Sequence, residues 1–201
     1  MKTSILAAAL LAFASAPALA QTIPAPAPAP AQDLVPVALY TSAGRIVIGL
    51  DKVHAPVTTA NFLHYVDTHR LDGESFYRAM HVGDGGLIQG GVRSDSRKLY
   101  PPIKHEPTTE TGLHNVAGSI SMANVGAGTA RADFFILTSD MPSLDATATD
   151  AGFAVFGHVI EGMNVVQKIL AEPVSATKGE GVMKGQMLDP IVKILKAERA
   201  K

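Results

Sequence analysis

FYRAMHVGDGGLIQGG, at residues 76–91, is the stretch of sequence that decides the fold. It combines an aromatic pair, one arginine and a glycine-rich turn that leads into an apolar pair. A second stretch, GSISMANVGAGTARADFFILT at residues 118–138, places a small-residue segment with an asparagine before a glycine-rich loop and a Phe-Phe strand. Together the two stretches predict a shallow apolar groove beside one cation.

The first twenty residues have the organisation of a secretory signal peptide. Lys2 supplies a positive charge, an apolar run extends from Ile5 to Phe13, and Ala18-Leu19-Ala20 supplies small residues before a cleavage site. The apolar run is shorter than the ~20 residues that a membrane span needs. We therefore predict that residues 1–20 are a signal peptide cleaved near Ala20. The mature protein is expected to be periplasmic or secreted and to have no membrane association.

Charge and composition of the remaining chain exclude several classes of function. Without Lys2, the 17 Lys and Arg residues fall to 16, against 18 Asp and Glu. A nearly neutral chain lacks the clustered basic residues that nucleic-acid binding requires, so we predict no nucleic-acid partner. The chain has no cysteine, which excludes disulfides, thiolate chemistry and cysteine-ligated zinc.

The mature chain divides into a linker and one domain. Residues 21–36 contain the repeat PAPAPAPA, which favours extended polyproline II, and we interpret this segment as a tether. In residues 37–199, runs rich in β-branched residues and separated by turns predict about eight short strands. Two segments, 58–70 and 161–171, have the apolar spacing of helices. Strands that outnumber helices without regular alternation favour a mainly β fold with a closed antiparallel sheet.

One further segment, residues 92–111, is polar and proline-rich, and we predict that it forms a surface excursion.

Other chemistries have little support in the sequence. The glycine clusters at 83–86 and 126–128 lack the third glycine and the following helix of a dinucleotide fingerprint. No G-x-S-x-G elbow surrounds Ser119 or Ser121. The seven histidines show no spacing typical of metal ligands, and His105-Glu106 is the only pair that we consider as possible metal ligands. We therefore predict no cofactor and no metal.

Arg78 is the candidate functional cation. On a regular strand, alternation places Phe76 and Arg78 on the same face. The residues alone leave two interpretations open. Arg78 is either a surface side chain whose stem packs on Phe76 or an active group beside the groove.

Three segments resemble the cyclophilins. Residues 76–91 are similar to the family signature F-H-R-x-x-P-x-F-M-x-Q-G-G. Residues 118–138 are similar to G-x-L-S-M-A-N-x-G-x-N-T-N-x-S-Q-F-F-I-x-T. Leu144-Asp145 followed by VFGHVIEGMNVV matches the family's L-D and V-F-G-x-V-x-x-G-x-x-V-V. The resemblance implies a closed eight-stranded antiparallel barrel capped by two α-helices, with peptidyl-prolyl cis/trans isomerase activity on its outer face.

The resemblance also implies site residues and partners. Arg78 falls on the catalytic arginine, and Gln89 falls on the active-site glutamine. The implied substrate-binding residues are Phe76, Leu87, Ala123, Asn124, Asp133, Phe135 and Leu144. The implied partners are proline-containing peptides and unfolded exported proteins, whose folding a monomer would assist. The alternative is a proline-peptide-binding or chaperone module on the same fold with weak or no catalysis.

The chain departs from the family pattern at several positions. Between Arg78 and Gln89 it has three additional residues, and Gly86 stands where the family has its second phenylalanine. We expect Met80 or Val82 to fill that gap. Asp133 replaces a glutamine and, if it faces Arg78, would form a charge-assisted hydrogen bond with it. Two further replacements, Ser143 for a tryptophan and Phe153 for a histidine, predict weak cyclosporin binding.

Overall fold

The computed structural model describes residues 33–200. The predicted signal peptide and most of the predicted linker, residues 21–32, lie outside this range. The first strand begins at Leu34, ahead of the predicted domain start at residue 37. Leu34 and Val35 pair with Asp51 and Leu50 of the second strand, so the last residues assigned to the linker belong to the sheet.

Nine strands form one antiparallel sheet in the described part of the chain. They are β1 (Leu34–Thr41), β2 (Gly44–Asp51), β3 (Ser75–Val82), β4 (Gly85–Gly91), β5 (Ser119–Met122), β6 (Phe134–Leu137), β7 (Val155–Glu161), β8 (Val174–Ser175) and β9 (Met187–Arg199). The order β1-β2-β7-β5-β6-β4-β3-β9 closes on itself because β9 also pairs with β1. The short strand β8 extends the edge beside β9. The predicted closed eight-stranded barrel is confirmed.

The two predicted helices are α1 (Pro56–Asp67) and α3 (Met163–Leu170). Each helix packs its apolar face on the barrel core: Phe62 of α1 and Ile169 of α3 are almost completely buried. A further one-turn helix, α2, spans Thr108–Thr111. No helix among residues 33–200 is long and apolar enough to cross a membrane.

The segment 92–111 is more than the predicted surface excursion, because parts of it are anchored in the fold. Glu106 is buried and accepts hydrogen bonds from the backbone N–H groups of Val57 and Thr58, at 3.0 and 2.8 Å. Its carboxylate thereby satisfies donors at the start of α1, where the helix dipole favours a negative charge. This contact accounts for Glu106 without a metal.

Side chains of the strands alternate between the inside and the outside of the barrel. On β6, Phe134 and Ile136 belong to the central core, whereas Phe135 and Leu137 belong to a separate apolar cluster. This second cluster also contains Leu87 of β4. The alternation therefore places an apolar surface on the outer face of β4 and β6, in addition to the core.

Candidate active site

A β-bulge in β3 decides which side chains face outward near Arg78. Phe76 pairs with Gly90 and Arg78 pairs with the adjacent Gln89, so Tyr77 is the extra residue of the bulge. The bulge breaks the simple alternation, and Tyr77 and Arg78 both face outward. The prediction that Phe76 and Arg78 share a face is therefore wrong.

Phe76 points into the barrel. Its side chain is completely buried, and its ring packs edge-on against Phe134 with 5.7 Å between the ring centroids. Phe76 does not line the groove described below, in contrast to its predicted role as a substrate-binding residue. It is a core residue that helps to hold β3 against β6.

A groove with a volume of about 590 Å³ lies on the outer face of β3, β4 and β6. One part of its lining is apolar and consists of Met80, Leu87, Phe135, Leu144 and Phe153. The rings of Phe135 and Phe153 meet nearly at right angles, with 5.3 Å between their centroids. The predicted site residues that line the groove are Arg78, Gln89, Leu87, Ala123, Asn124, Asp133, Phe135 and Leu144. The structure thus brings together every predicted site residue except Phe76.

The additional residues between Arg78 and Gln89 lengthen the β3–β4 hairpin. Met80 pairs with Leu87 across the hairpin, and both side chains line the groove. Val82 lies beyond them and is 53% exposed outside the groove, so Met80 is the residue that fills the expected gap. Gly86 has φ of 153°, and a Cβ atom there would collide with the carbonyl oxygen of Met80, so no larger residue fits.

Arg78 is half-buried, and its guanidinium is held from three directions. Its Nη1 donates to Oε1 of Gln89 at 2.7 Å, and its Nε donates to Oε1 of Gln186 at 2.8 Å. Its Nη2 lies 3.3 Å from the sulfur of Met80. Burial lowers the pKa of Arg78, but an arginine remains charged at all ordinary pH values. The result is a fixed cation at the edge of an apolar surface.

A chain of hydrogen bonds extends from Arg78 to Asp133. Nε2 of Gln89 donates to the hydroxyl of Tyr77 at 2.7 Å, and that hydroxyl donates to Oδ2 of Asp133 at 2.7 Å. Burial raises the pKa of Asp133 and also that of Tyr77, where the neighbouring carboxylate adds to the effect. Asp133 therefore reaches Arg78 through two side chains, and the condition for a direct hydrogen bond, that Asp133 faces Arg78, is not met.

Sequence reasoning missed Tyr77 and Gln186. Tyr77 is adjacent to Arg78, but strict alternation assigns it to the opposite face. Gln186 comes from the segment between β8 and β9, and the sequence around it carries no signal that would bring it to Arg78. Its backbone carbonyl accepts from the N–H of Ala79 at 2.9 Å, and its Nε2 donates to the carbonyl of Val182 at 2.9 Å.

Asn124 presents backbone groups at the rim of the groove. Its side chain is used locally, accepting from the N–H of Gly126 at 2.9 Å and donating to the carbonyl of Gly152 at 3.3 Å. Among the hydrogen bonds of residues 33–200, none involves the backbone N–H or carbonyl of Asn124. The N–H of Ala123, in contrast, already donates to the carbonyl of Asp133 at 2.9 Å.

Fold and site together define a class of protein: a closed eight-stranded barrel with an arginine beside an apolar groove on its outer face is the arrangement expected of a cyclophilin. Residues 36–199 match the family model described as cyclophilin type peptidyl-prolyl cis-trans isomerase/CLD. The chain belongs to this family.

Curated relatives and solved structures agree with this assignment. The chain is 41% identical over 137 residues to peptidyl-prolyl cis-trans isomerase A of Dickeya dadantii, covering 66% of this chain and 70% of the relative. It is 38% identical over 143 residues to a peptidyl-prolyl cis-trans isomerase of Acinetobacter baylyi, covering 69% and 73%. A cyclophilin of Cryptosporidium parvum has the same fold, with a TM-score of 0.68 at 19% identity over 84% of this chain and 98% of that one. The same protein has also been solved in the presence of the dipeptide Ala-Pro, with a TM-score of 0.64, 19% identity, and coverage of 83% and 99%.

Proposed function

We propose that this protein accelerates cis/trans isomerisation of X-Pro bonds in exported polypeptides and thereby assists their folding. Its class of enzyme follows from membership of the family. The roles of its residues, its substrates and its location are proposed on the geometry of the groove and on the sequence. The observation that carries the proposal is the fixed guanidinium of Arg78 beside the apolar wall.

The reaction needs no bond to be broken. Rotation about a peptide bond is opposed by amide resonance, with a barrier of about 18–20 kcal/mol. In the twisted transition state, the prolyl nitrogen becomes pyramidal and regains a lone pair. A donor aimed at that nitrogen binds the twisted state more strongly than the planar one, and such differential binding is what lowers the barrier.

Arg78 is proposed to supply this donor. Its contacts with Gln89, Gln186 and Met80 leave the other N–H groups of the guanidinium for a bound peptide. Because these contacts orient the cation before substrate arrives, little reorganisation is needed during the reaction.

The rest of the groove is proposed to hold the substrate. The apolar wall, which includes Leu87, Phe135 and Leu144, would bury the proline ring. The backbone N–H and carbonyl of Asn124 would pair with the backbone of the peptide. The dipeptide Ala-Pro with the Cryptosporidium parvum cyclophilin supports the idea that this groove takes proline peptides.

The proposed setting is the periplasm or the extracellular space. The signal-peptide pattern of residues 1–20 supports export, and the following Pro/Ala-rich segment would tether the domain. In that setting, a monomer would act on unfolded exported chains, and folding assistance follows because uncatalysed X-Pro isomerisation takes tens to hundreds of seconds.

NMR measurement of cis/trans exchange in an Ala-Pro tetrapeptide tests the proposal. The mature chain, residues 21–201, is compared with Arg78→Ala and with Arg78→Lys, which keeps the charge but cannot make the forked contacts to Gln89 and Gln186. We expect acceleration by the parent, none by the alanine variant and little by the lysine variant. No acceleration by the parent, with peptide resonances still shifted, would instead favour a proline-peptide-binding module.

A further inference from the structure

The arginines that line the groove differ from most other arginines of the domain in their partners. Arg78, Arg93 and Arg131 line the groove, and within residues 33–200 none of them forms an ion pair with a carboxylate. Outside the groove, Arg45, Arg97 and Arg199 are paired with Glu161, Asp95 and Asp67, respectively. The remaining arginine, Arg70, donates to the backbone carbonyl of Lys98. Unpaired guanidinium charge is therefore concentrated at the groove.

Arg93 and Arg131 lie at the polar part of the groove, beside Tyr77 and Asp133. The guanidinium carbon of Arg93 lies 4.5 Å from the centre of the Tyr77 ring. Arg131 precedes Asp133 by two residues on the segment that leads into β6. Arg93 and Arg131 are both exposed, so a ligand that enters the groove from solvent can contact them.

The backbone at both arginines is fixed. The N–H of Arg93 donates to the buried carboxylate of Glu74 at 3.0 Å, and the carbonyl of Arg131 accepts from Nδ2 of Asn61 at 2.7 Å. Long side chains on fixed backbone can reach a bound peptide without reorganisation of the loops that carry them. The two cations are thus part of the built groove.

The charges that line the groove are unbalanced. Three guanidinium groups face the groove, and Asp133 supplies the only carboxylate among its lining residues. This carboxylate accepts a hydrogen bond from the hydroxyl of Tyr77 and is partly buried. A peptide with an acidic side chain would supply the missing negative charge.

We propose that the groove prefers proline peptides that carry aspartate or glutamate two residues before or two residues after the proline, with Arg93 and Arg131 as the residues that set this preference. The inference rests on the proposed function, because it concerns the substrates of the same groove. Both cations are solvent-exposed, so the expected preference is modest: about two- to fivefold, as for exposed ion pairs.

A series of blocked peptides with one Ala-Pro bond tests the preference. Each peptide carries Glu, Gln or Lys, either two residues before the proline or two residues after it. The value of kcat/KM from NMR exchange is measured at about 10 mM salt and at about 1 M salt, where the Debye length falls from about 30 to about 3 Å. Peptide binding is followed in parallel by chemical-shift changes, so that a preference is detected independently of turnover.

We expect the Glu peptide to exceed the Lys peptide by about two- to fivefold in at least one register at low salt, with the ratio approaching one at high salt. In the double variant Arg93→Gln/Arg131→Gln, the ratio should approach one at low salt as well. The double variant Arg45→Gln/Arg199→Gln is the matched control, because it removes the same two positive charges outside the groove and should retain the ratio.

Two results would overturn the inference: equal values for the Glu and Lys peptides in both registers, or a preference that persists in the double variant. The Gln peptides separate this failure from that of the proposed function. If the parent accelerates the Gln peptides and accelerates the Glu and Lys peptides equally, only the charge preference is rejected. If the parent accelerates none of the peptides, the isomerase proposal itself is rejected, and the chemical-shift data still decide the preference.

Discussion

The hydroxyl of Tyr77 donates a 2.7 Å hydrogen bond to Oδ2 of Asp133, and this contact sets the direction of every hydrogen bond back to Arg78. An ionised carboxylate can only accept, so Tyr77 must donate to it. The tyrosine oxygen then accepts from Nε2 of Gln89, which turns Oε1 of Gln89 toward the guanidinium. An acidic residue at position 133 thereby orients the glutamine that holds the arginine.

Replacing Tyr77 by phenylalanine should weaken catalysis through this chain. The variant leaves Nε2 of Gln89 without its acceptor, so the amide is no longer held with Oε1 toward Arg78. We expect kcat/KM to fall about two- to tenfold, the equivalent of one or two neutral hydrogen bonds. The fall should be mainly in kcat, since the apolar wall that binds proline is unchanged. A loss confined to KM would contradict this positioning role.

Replacing Asp133 by asparagine should change how stability depends on pH. Burial raises the pKa of Asp133, so the folded state favours the protonated acid. The stability that this group contributes is present below its unfolded pKa of about 3.9 and is lost as the pH rises through the folded value. The free energy of unfolding of Asp133→Asn, minus that of the parent, should therefore be larger at pH 7 than at pH 3. Urea unfolding at several pH values measures the difference, and a pH-independent difference would reject the prediction.

Gln186 should matter for turnover although it lies outside every family motif. Gln186→Ala removes the acceptor for Nε of Arg78 and also the contact with the carbonyl of Val182. We expect kcat to fall about two- to tenfold, from the loss of hydrogen bonds of which one involves a charged group. Gln167→Ala is a suitable control, since Gln167 lies on α3 and does not line the groove. Equal turnover of Gln186→Ala and the parent would exclude a positioning role.

Glu74 should stabilise the wall of the groove that carries Arg93. Its buried carboxylate accepts from Nζ of Lys98 at 2.9 Å and from the N–H groups of Arg93 and Ser94 at 3.0 and 3.1 Å. Burial acts to raise the pKa of Glu74, but the hydrogen bonds from Lys98 and Ser94 outweigh it and lower the pKa overall.

The predicted consequence is a pH-dependent loss of stability in Glu74→Gln. Because the pKa of Glu74 is lower in the folded protein, its ionised carboxylate contributes stability above the pKa of the unfolded chain, about 4.3. This contribution is lost as the pH falls through the pKa of the folded protein. The variant should lose about 1.5–3 kcal/mol at pH 7, the range for hydrogen bonds to a charged group, and less at pH 3. Urea unfolding at both pH values is the measurement. An equal loss at both would show that the charge of Glu74 is unimportant.

Local patterns in the sequence were enough to predict most of the fold. The runs of β-branched residues and the apolar spacing on α1 and α3 depend only on the periods of strands and helices. The motifs around Arg78 and Phe135 then identified Arg78, Gln89 and most of the apolar wall of the groove, because neighbouring strands present alternate residues on a common outer face. These features were accessible because each depends on residues close together in the chain or on a pattern that the family repeats.

The tertiary structure alone decided three features of the site. The bulge at Tyr77 separates Phe76 from Arg78, and a bulge depends on pairing with β4 rather than on the sequence of β3 alone. Gln186 reaches Arg78 from 108 positions away, because β9 pairs with β3 and brings the preceding segment to the site. Asp133 acts on Arg78 through Tyr77 and Gln89, since β4 pairs with both β3 and β6 and places the three strands side by side. Contacts between distant segments follow from how the strands pair, which periodicity within each segment does not specify.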